Sequence, residues 1–141
     1  MNKIDHETRG IFAGIADVLI PNAEGMPAAS EVGVHENMLD HILGLRPDIR
    51  ENFIRGIEAA RGRPPEEAAN GLNESDPAAL TAIGLAASAG YYMTPKVREL
   101  IGYPGQESRP EPDPDATPEY VANGMLRQVI DRGPIFRPTP D

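Results

Sequence analysis

The chain predicts an all-α fold, a single small helical domain of about five main helices followed by a Pro-rich loop and an extended tail. Three observations carry this. Apolar residues recur at spacings of three and four in most of the chain, and no segment sustains the alternation of a strand. Helix-start signals recur at Asp5, Ser30, Asp76-Pro77, Thr94-Pro95 and Thr117-Pro118. Proline is unevenly placed: eight of the 15 prolines (Pro104, Pro110, Pro112, Pro114, Pro118, Pro134, Pro138 and Pro140) lie at or beyond Pro104. The division this implies is a helical domain over 1–106, and over 107–141 a Pro-rich loop, one helix and a tail that packs on the domain or on a partner.

The elements follow in order. Over 4–20, Ile4, Ile11, Phe12, Ile15, Val18 and Leu19 share one helical face. Asp5 caps the start, and Pro21 with Asn22 ends the helix. Asn22–Pro27 has turn chemistry. A second helix opens at Ser30, a good N-cap, with Val34, Met38, Leu39, Ile42 and Leu45 inward. It ends at Gly44 or at Arg46-Pro47, because the residue before proline avoids the helical region. A third runs from about Pro47 to Ala60 on Ile49, Phe53, Ile54, Ile57 and Ala60. Glu51–Arg55 and Glu58–Arg61 are spaced for ion pairs on its outer face. After Gly62-Arg-Pro-Pro65, residues 66–72 suggest one short helical turn. The helix over about 77–92 is crowded with alanine and glycine on several faces, which lets neighbouring backbones approach closely. Its expected place is central and surrounded. Thr94-Pro95 opens a short helix ending at Ile101-Gly102. Residues 102–117 are irregular. A last amphipathic helix over about 118–132 uses Tyr120, Val121, Met125, Leu126, Val129 and Ile130, and Gly133-Pro134 closes it.

Composition excludes several functions. A chain of 141 residues and 15.2 kDa can bury a core without disulfide or metal staples. Cysteine is absent, so disulfides, thiolate nucleophiles and thiolate metal sites are excluded. The net charge is −9 and the pI near 4.8, which disfavours nucleic-acid binding. No segment reads as a membrane span; Pro77–Pro95 is uncharged but rich in small residues and of marginal length. No signal peptide or twin-arginine pair is visible, so the chain as written reads as cytoplasmic.

Candidate chemistry is sparse. His35-Glu-Asn-Met-Leu-Asp-His41 is the main acid and histidine cluster. Residue 39 is Leu where a zinc-hydrolase helix needs a second His. Glu36 and Asp40 share a face and could hold one cation, although exposed carboxylate pairs are ordinarily just solvated. A small enzyme built on Glu36, Asp40 and His41 is the third-ranked reading. No serine lies in a nucleophile elbow, and no Gly-rich phosphate loop occurs. The reading assigns no catalytic residue, no metal and no cofactor to this chain.

Charge is polarised. Arg46, Arg50, Arg55, Arg61 and Arg63 fall within eighteen residues, whereas Pro64–Glu119 holds ten acids against three bases. This is either internal complementarity or an arginine-bearing contact surface, in which Arg46 and Arg50 would touch a partner. The 102–117 stretch and the tail suit docking, because stiff Pro-rich segments lose little entropy on binding. Tyr103, Tyr120, Ile135 and Phe136 are their apolar anchors.

Three segments carry a resemblance: Ala16-Asp-Val-Leu-Ile-Pro21, Arg50-Glu-Asn-Phe-Ile-Arg-Gly-Ile57, and Gly90-Tyr-Tyr-Met-Thr-Pro95 followed by Ile101-Gly-Tyr-Pro-Gly105. Over roughly residues 8–106 the chain resembles the gluconate 2-dehydrogenase subunit 3 family, the small subunit of flavin-dependent sugar dehydrogenases. The resemblance implies a non-catalytic, chaperone-like subunit that binds and stabilises a large flavoprotein of the glucose–methanol–choline oxidoreductase type. FAD would sit in that partner. The family's small subunit often carries a twin-arginine export signal for both chains. The chain shows none, so a periplasmic place would need co-export with a partner. Residues 107–141 lie outside the resemblance. The motif falls on Tyr91, Tyr92, Thr94, Pro95, Tyr103, Pro104 and Gly105. These are either partner contacts or simply architecture, since Thr94-Pro95 caps a helix and Tyr-Pro-Gly fits a turn. The alternative function is a free-standing helical interaction protein of the same fold, able to self-associate, without an oxidoreductase partner.

Overall fold

A computed structural model describes residues 4–107 and 115–135. Its elements are helical: α1 (His6–Leu19), α2 (Asn37–Leu45), α3 (Arg50–Ala60), α4 (Pro65–Ser75), α5 (Pro77–Met93), α6 (Pro95–Leu100), α7 (Glu119–Ala122) and α8 (Arg127–Arg132). Short 3-10 turns at Ser30–Val32 and Pro47–Ile49 precede α2 and α3. Among the described residues there is no strand beyond an isolated bridge between Ala23 and Met26. The chain divides into two units, Met1–Gly105 and Gln106–Asp141.

In the first unit α5 is the axis. It packs against α1, α2, α3, α4 and α6. Its buried positions are Ala79, Ala82, Ile83, Ala86, Ala87, Gly90 and Tyr91, so most of the contact is made by side chains of one carbon or none. That lets α3 come close: a Cβ placed on Gly56 would stand 2.9 Å from Ile83 Cδ1 and 3.0 Å from Ala79 Cβ. The larger apolar residues fill the spaces around this axis. Phe12 of α1 meets Phe53 of α3 edge to face at 5.2 Å, a favoured aromatic geometry. Ile15, Val34, Leu39, Ile42, Leu43, Ile57, Leu72 and Val97 complete the core. Of the residues assigned inward from periodicity, Val18, Leu19 and Leu45 are exposed. All three lie at or near a helix C-terminus, where the chain leaves the core.

The cap signals at Asp5 and Asp76 operate as read. Asp5 accepts from the Thr8 amide at 2.8 Å and from its hydroxyl at 3.1 Å. Asp76 accepts from the Ala79 amide at 3.1 Å, with Pro77 at the first helical position.

Three boundaries differ from the sequence reading. The second helix does not open at Ser30. The Ser30 amide and hydroxyl both donate to the Asp17 carboxylate, each at 2.7 Å, and Gly33 then turns the chain through a left-handed conformation. The α-helix begins only at Asn37. The short turn expected at 66–72 is the full eleven-residue α4. Asn70, Gly71, Asn73 and Ser75 are weak helix formers, but Ala68, Ala69 and Leu72 are buried against α1, α3 and α5. Tertiary burial overrides propensity there.

The third difference lies in the second unit. The single helix expected over 118–132 is two, α7 and α8. Asn123-Gly124 separates them: the Asn123 side chain accepts from the Met125 amide at 3.0 Å, and Gly124 takes a φ of 78°.

Candidate functional site

The Gly-Tyr-Tyr-x-Thr-Pro motif spans the junction of α5 and α6. α5 ends because Pro95 cannot donate the next helical hydrogen bond and Thr94 turns extended. The Thr94 hydroxyl bonds back to the Tyr91 carbonyl at 2.7 Å, and both residues are buried. The Tyr91 hydroxyl reaches across to the Pro27 carbonyl at 2.7 Å, fastening the 22–29 loop to α5. Burial, aided by Tyr92 and Glu31, pushes the Tyr91 phenol above its ordinary value, so it stays a neutral donor.

Tyr91 and Thr94, expected either as partner contacts or as architecture, are buried here. Their polar groups are spent inside the domain. Tyr92 is different. It sets its ring perpendicular to Tyr91 at 5.4 Å yet remains 56% exposed. Pro95 is exposed as well. Beyond α6, Gly102 takes a left-handed φ of 66°, and the Tyr103 amide donates to the Arg98 carbonyl at 2.8 Å. The Arg98 guanidinium lies 5.5 Å from the centre of the Tyr103 ring, and Tyr103 stays 50% exposed. Pro104 is exposed and Gly105 half-buried, with a φ of 98° that a side chain would strain. The motif thus has a buried half that sets the junction and an outward half of Tyr92, Pro95, Tyr103 and Pro104. Met93, Leu100 and Ile101 are exposed in the same stretch.

A groove of about 610 Å³ adjoins the junction. Thr94, Pro95 and Lys96 form one wall, and Ser30–Gly33 with Glu36–Met38 the other. Glu31 is held in place by the Ala28 amide at 2.9 Å and the Asn22 amide group at 3.2 Å. The groove carries acid on one wall and an ammonium on the other.

The arginine-rich helix is largely committed internally. Arg46 grips Asp48 through two bonds of 2.8 and 2.7 Å. Arg55 bonds Asp76 at 2.6 Å instead of its expected partner Glu51. Arg61 pairs with Glu58 at 3.0 Å and with Glu7. Each pairing lifts the arginine further above its usual range, and hydrogen bonds from Arg46 and Arg55 hold Asp48 and Asp76 below theirs. Arg50 is half-buried and lines a shallow surface with Pro47, Glu51, Ile54 and Arg55. Arg46, Arg55 and Arg61 therefore serve internal complementarity, while Arg46 remains exposed at the surface.

No family model, curated protein or solved structure matches the chain.

The acid and histidine cluster is organised by a residue that sequence reasoning passed over. Arg9 of α1 donates to the carbonyls of His35 at 2.9 Å and Glu36 at 2.5 Å, and pairs with Asp40 at 2.6 Å. Asp40 is thereby drawn toward an arginine rather than left beside Glu36 for a cation. Among the described residues no three His, Asp or Glu side chains converge as metal ligands. His35 Nδ1 is enclosed without a hydrogen-bond partner, beside a cavity of about 280 Å³ lined by His6, Arg9, Gly10, Ala13 and Glu36. Nothing local marks Arg9 for this role, because its partners lie 26 to 31 residues away. Of the tail anchors, Ile135 is exposed, and Phe136 lies outside the described residues. No described helix is long and apolar enough to cross a membrane.

Proposed function

We propose that this chain is a non-catalytic subunit that binds and stabilises a flavin-dependent sugar or alcohol dehydrogenase, as its motifs imply, with FAD held by the partner. The observation that carries the reading is the split of the motif. Architecture accounts for Tyr91 and Thr94. It does not account for Tyr92 and Tyr103, two half-exposed tyrosines on either side of α6 with Met93, Leu100 and Ile101 also exposed. Tyrosine is enriched at protein interfaces and among the residues that dominate their binding energy.

The test is affinity purification of the intact chain from its own cells, followed by an absorbance spectrum of the eluate. A stoichiometric yellow complex with flavin bands near roughly 380 and 450 nm supports the reading. The Tyr92→Ala/Tyr103→Ala variant should retain its helical content and lose the complex by about tenfold or more in affinity. A colourless chain eluting alone overturns it. The alternative is a free-standing helical interaction protein able to self-associate, without an oxidoreductase partner.

A further inference from the structure

Two asparagines of the chain precede glycine, and their flanks nearly match: Ala69-Asn-Gly-Leu72 and Ala122-Asn-Gly-Met125. Before glycine, the next backbone nitrogen can reach and attack the asparagine side-chain amide, because no Cβ stands in its way. With the flanks alike, local structure sets which of the two reacts.

Ring closure needs the backbone at the asparagine to leave the helical ψ, and the glycine N–H to give up its hydrogen bond. Asn70 is held against both. It lies in the middle of α4, where each N–H is committed to the carbonyl four residues back. Freeing it opens a helix whose Ala68, Ala69 and Leu72 are buried. Asn123 already stands outside a helix. It follows the last residue of α7 with a φ of −80° and a ψ of 1°, in the sparsely allowed bridge region. The Gly124 N–H donates to the Val121 carbonyl at 3.3 Å, longer than a good amide hydrogen bond. The turn joins helices of four and six residues, too short to hold themselves.

The side chain of Asn123 is also oriented for attack. The Met125 amide is a donor, so the group facing it at 3.0 Å is the amide oxygen, Oδ1. That bond draws electron density from Cγ. It is placed to stabilise the negative charge that builds on Oδ1 as the nitrogen adds, as an oxyanion-hole donor does. Every bond invoked at Asn123 lies within the second unit.

We propose that Asn123 is a site of spontaneous deamidation through a succinimide ring with the Gly124 nitrogen, and that the fold protects Asn70 from the same reaction. The Gly124 nitrogen bonds to Asn123 Cγ, the Cγ–Nδ2 bond breaks, and the Gly124 amide proton departs with the NH2 group as ammonia. Water then adds across one of the two ring C–N bonds, its hydroxyl going to the carbonyl carbon and its proton to the nitrogen. Opening at Cγ leaves an aspartyl residue, and opening at the main-chain carbonyl leaves an isoaspartyl residue. Either adds one negative charge to the chain's −9. The isoaspartyl product also lengthens the main chain between α7 and α8 by one carbon.

The experiment is incubation of the intact purified chain at neutral pH, with timed samples digested and mapped by mass spectrometry. Peptides holding residue 123 should exchange the mass of NH for that of oxygen, as aspartyl and isoaspartyl forms that separate by chromatography. They should do so about tenfold or more faster than peptides holding residue 70. In guanidinium chloride α4 is unfolded, and the Asn70 rate should rise to within about threefold of the Asn123 rate. Equal rates in the folded chain overturn the proposal, as does an Asn123 that stays intact while the unfolded chain reacts. A gap that persists in denaturant overturns it too, since neighbouring side chains and not the fold would then set the rates.

Discussion

Replacing Gly56 by alanine tests the argument that α3 and α5 meet through backbone. The Cβ of Gly56→Ala would stand 2.9 Å from Ile83 Cδ1 and 3.0 Å from Ala79 Cβ. Carbon atoms in good contact sit at about 3.5–4.0 Å, so something must move. Ile83 can swing its terminal methyl; Ala79 can move only with its helix. Gly10, in the middle of α1, is the control, since a Cβ there meets nothing within 4 Å. Both changes gain about 1 kcal/mol of helix propensity. Only Gly56→Ala adds an overpacking cost of about 1–3 kcal/mol. Gly10→Ala should therefore stabilise by about 0.5–1 kcal/mol, and Gly56→Ala should be neutral to about 2 kcal/mol destabilising. Their difference cancels propensity and isolates the contact, at about 1–3 kcal/mol. Urea unfolding followed by helical circular dichroism measures it, provided the slopes agree. Ile83→Val deletes the clashing methyl and normally costs about 0.5–1.5 kcal/mol; in the Gly56→Ala background it should cost distinctly less. Equal stabilisation by the two glycine replacements would refute the close approach of α3 and α5.

Two further outcomes follow from the site. Tyr91→Phe removes the donor to the Pro27 carbonyl and leaves that buried oxygen unpaired, which should cost about 1–3 kcal/mol and raise amide exchange in the 22–29 loop before the rest of the domain. Asp76 is held below its ordinary 3.8, first by its hydrogen bond from Arg55 and then by the Ala79 amide. A depressed folded value means this stabilisation is present above about pH 3.8 and is lost as pH falls through the lower folded value. The urea midpoint of the wild type should therefore drop more steeply than that of Asp76→Asn as pH falls from about 5 to 2. Parallel profiles would mean that the ion pair with Arg55 contributes nothing measurable.

Much of the fold was legible because its signals are local. A cap and the amide it serves are three residues apart, so Asp5 and Asp76 announce α1 and α5 directly, whereas at α6 the signal is Pro95 at the first helical position, because the Thr94 hydroxyl caps nothing ahead and donates back to the Tyr91 carbonyl. Apolar spacing marks the faces of α1 and α3. The run of Ala and Gly over α5 signals closeness to neighbours, and α5 does touch the other helices of its unit. Local signals also mislead where two compete. The apolar period ran straight through Asn123-Gly124, and turn chemistry prevailed there because no packing opposes it among exposed residues.

The sequence by itself thus determined the helical class, the caps at Asp5 and Asp76 and the central helix. Only the tertiary structure decided which groups meet across the chain. Arg9 reaches residues 26 to 31 positions away, Asp17 takes Ser30 from thirteen away and delays α2, and Arg55 passes over Glu51 for Asp76. Tyr91 binds a carbonyl 64 residues distant, while its neighbour Tyr92 is left to solvent. Adjacent tyrosines carry the same side chain and nearly the same propensity. The 100° step between successive helical residues, read against the packed surface of α5, sends one inward and the other out.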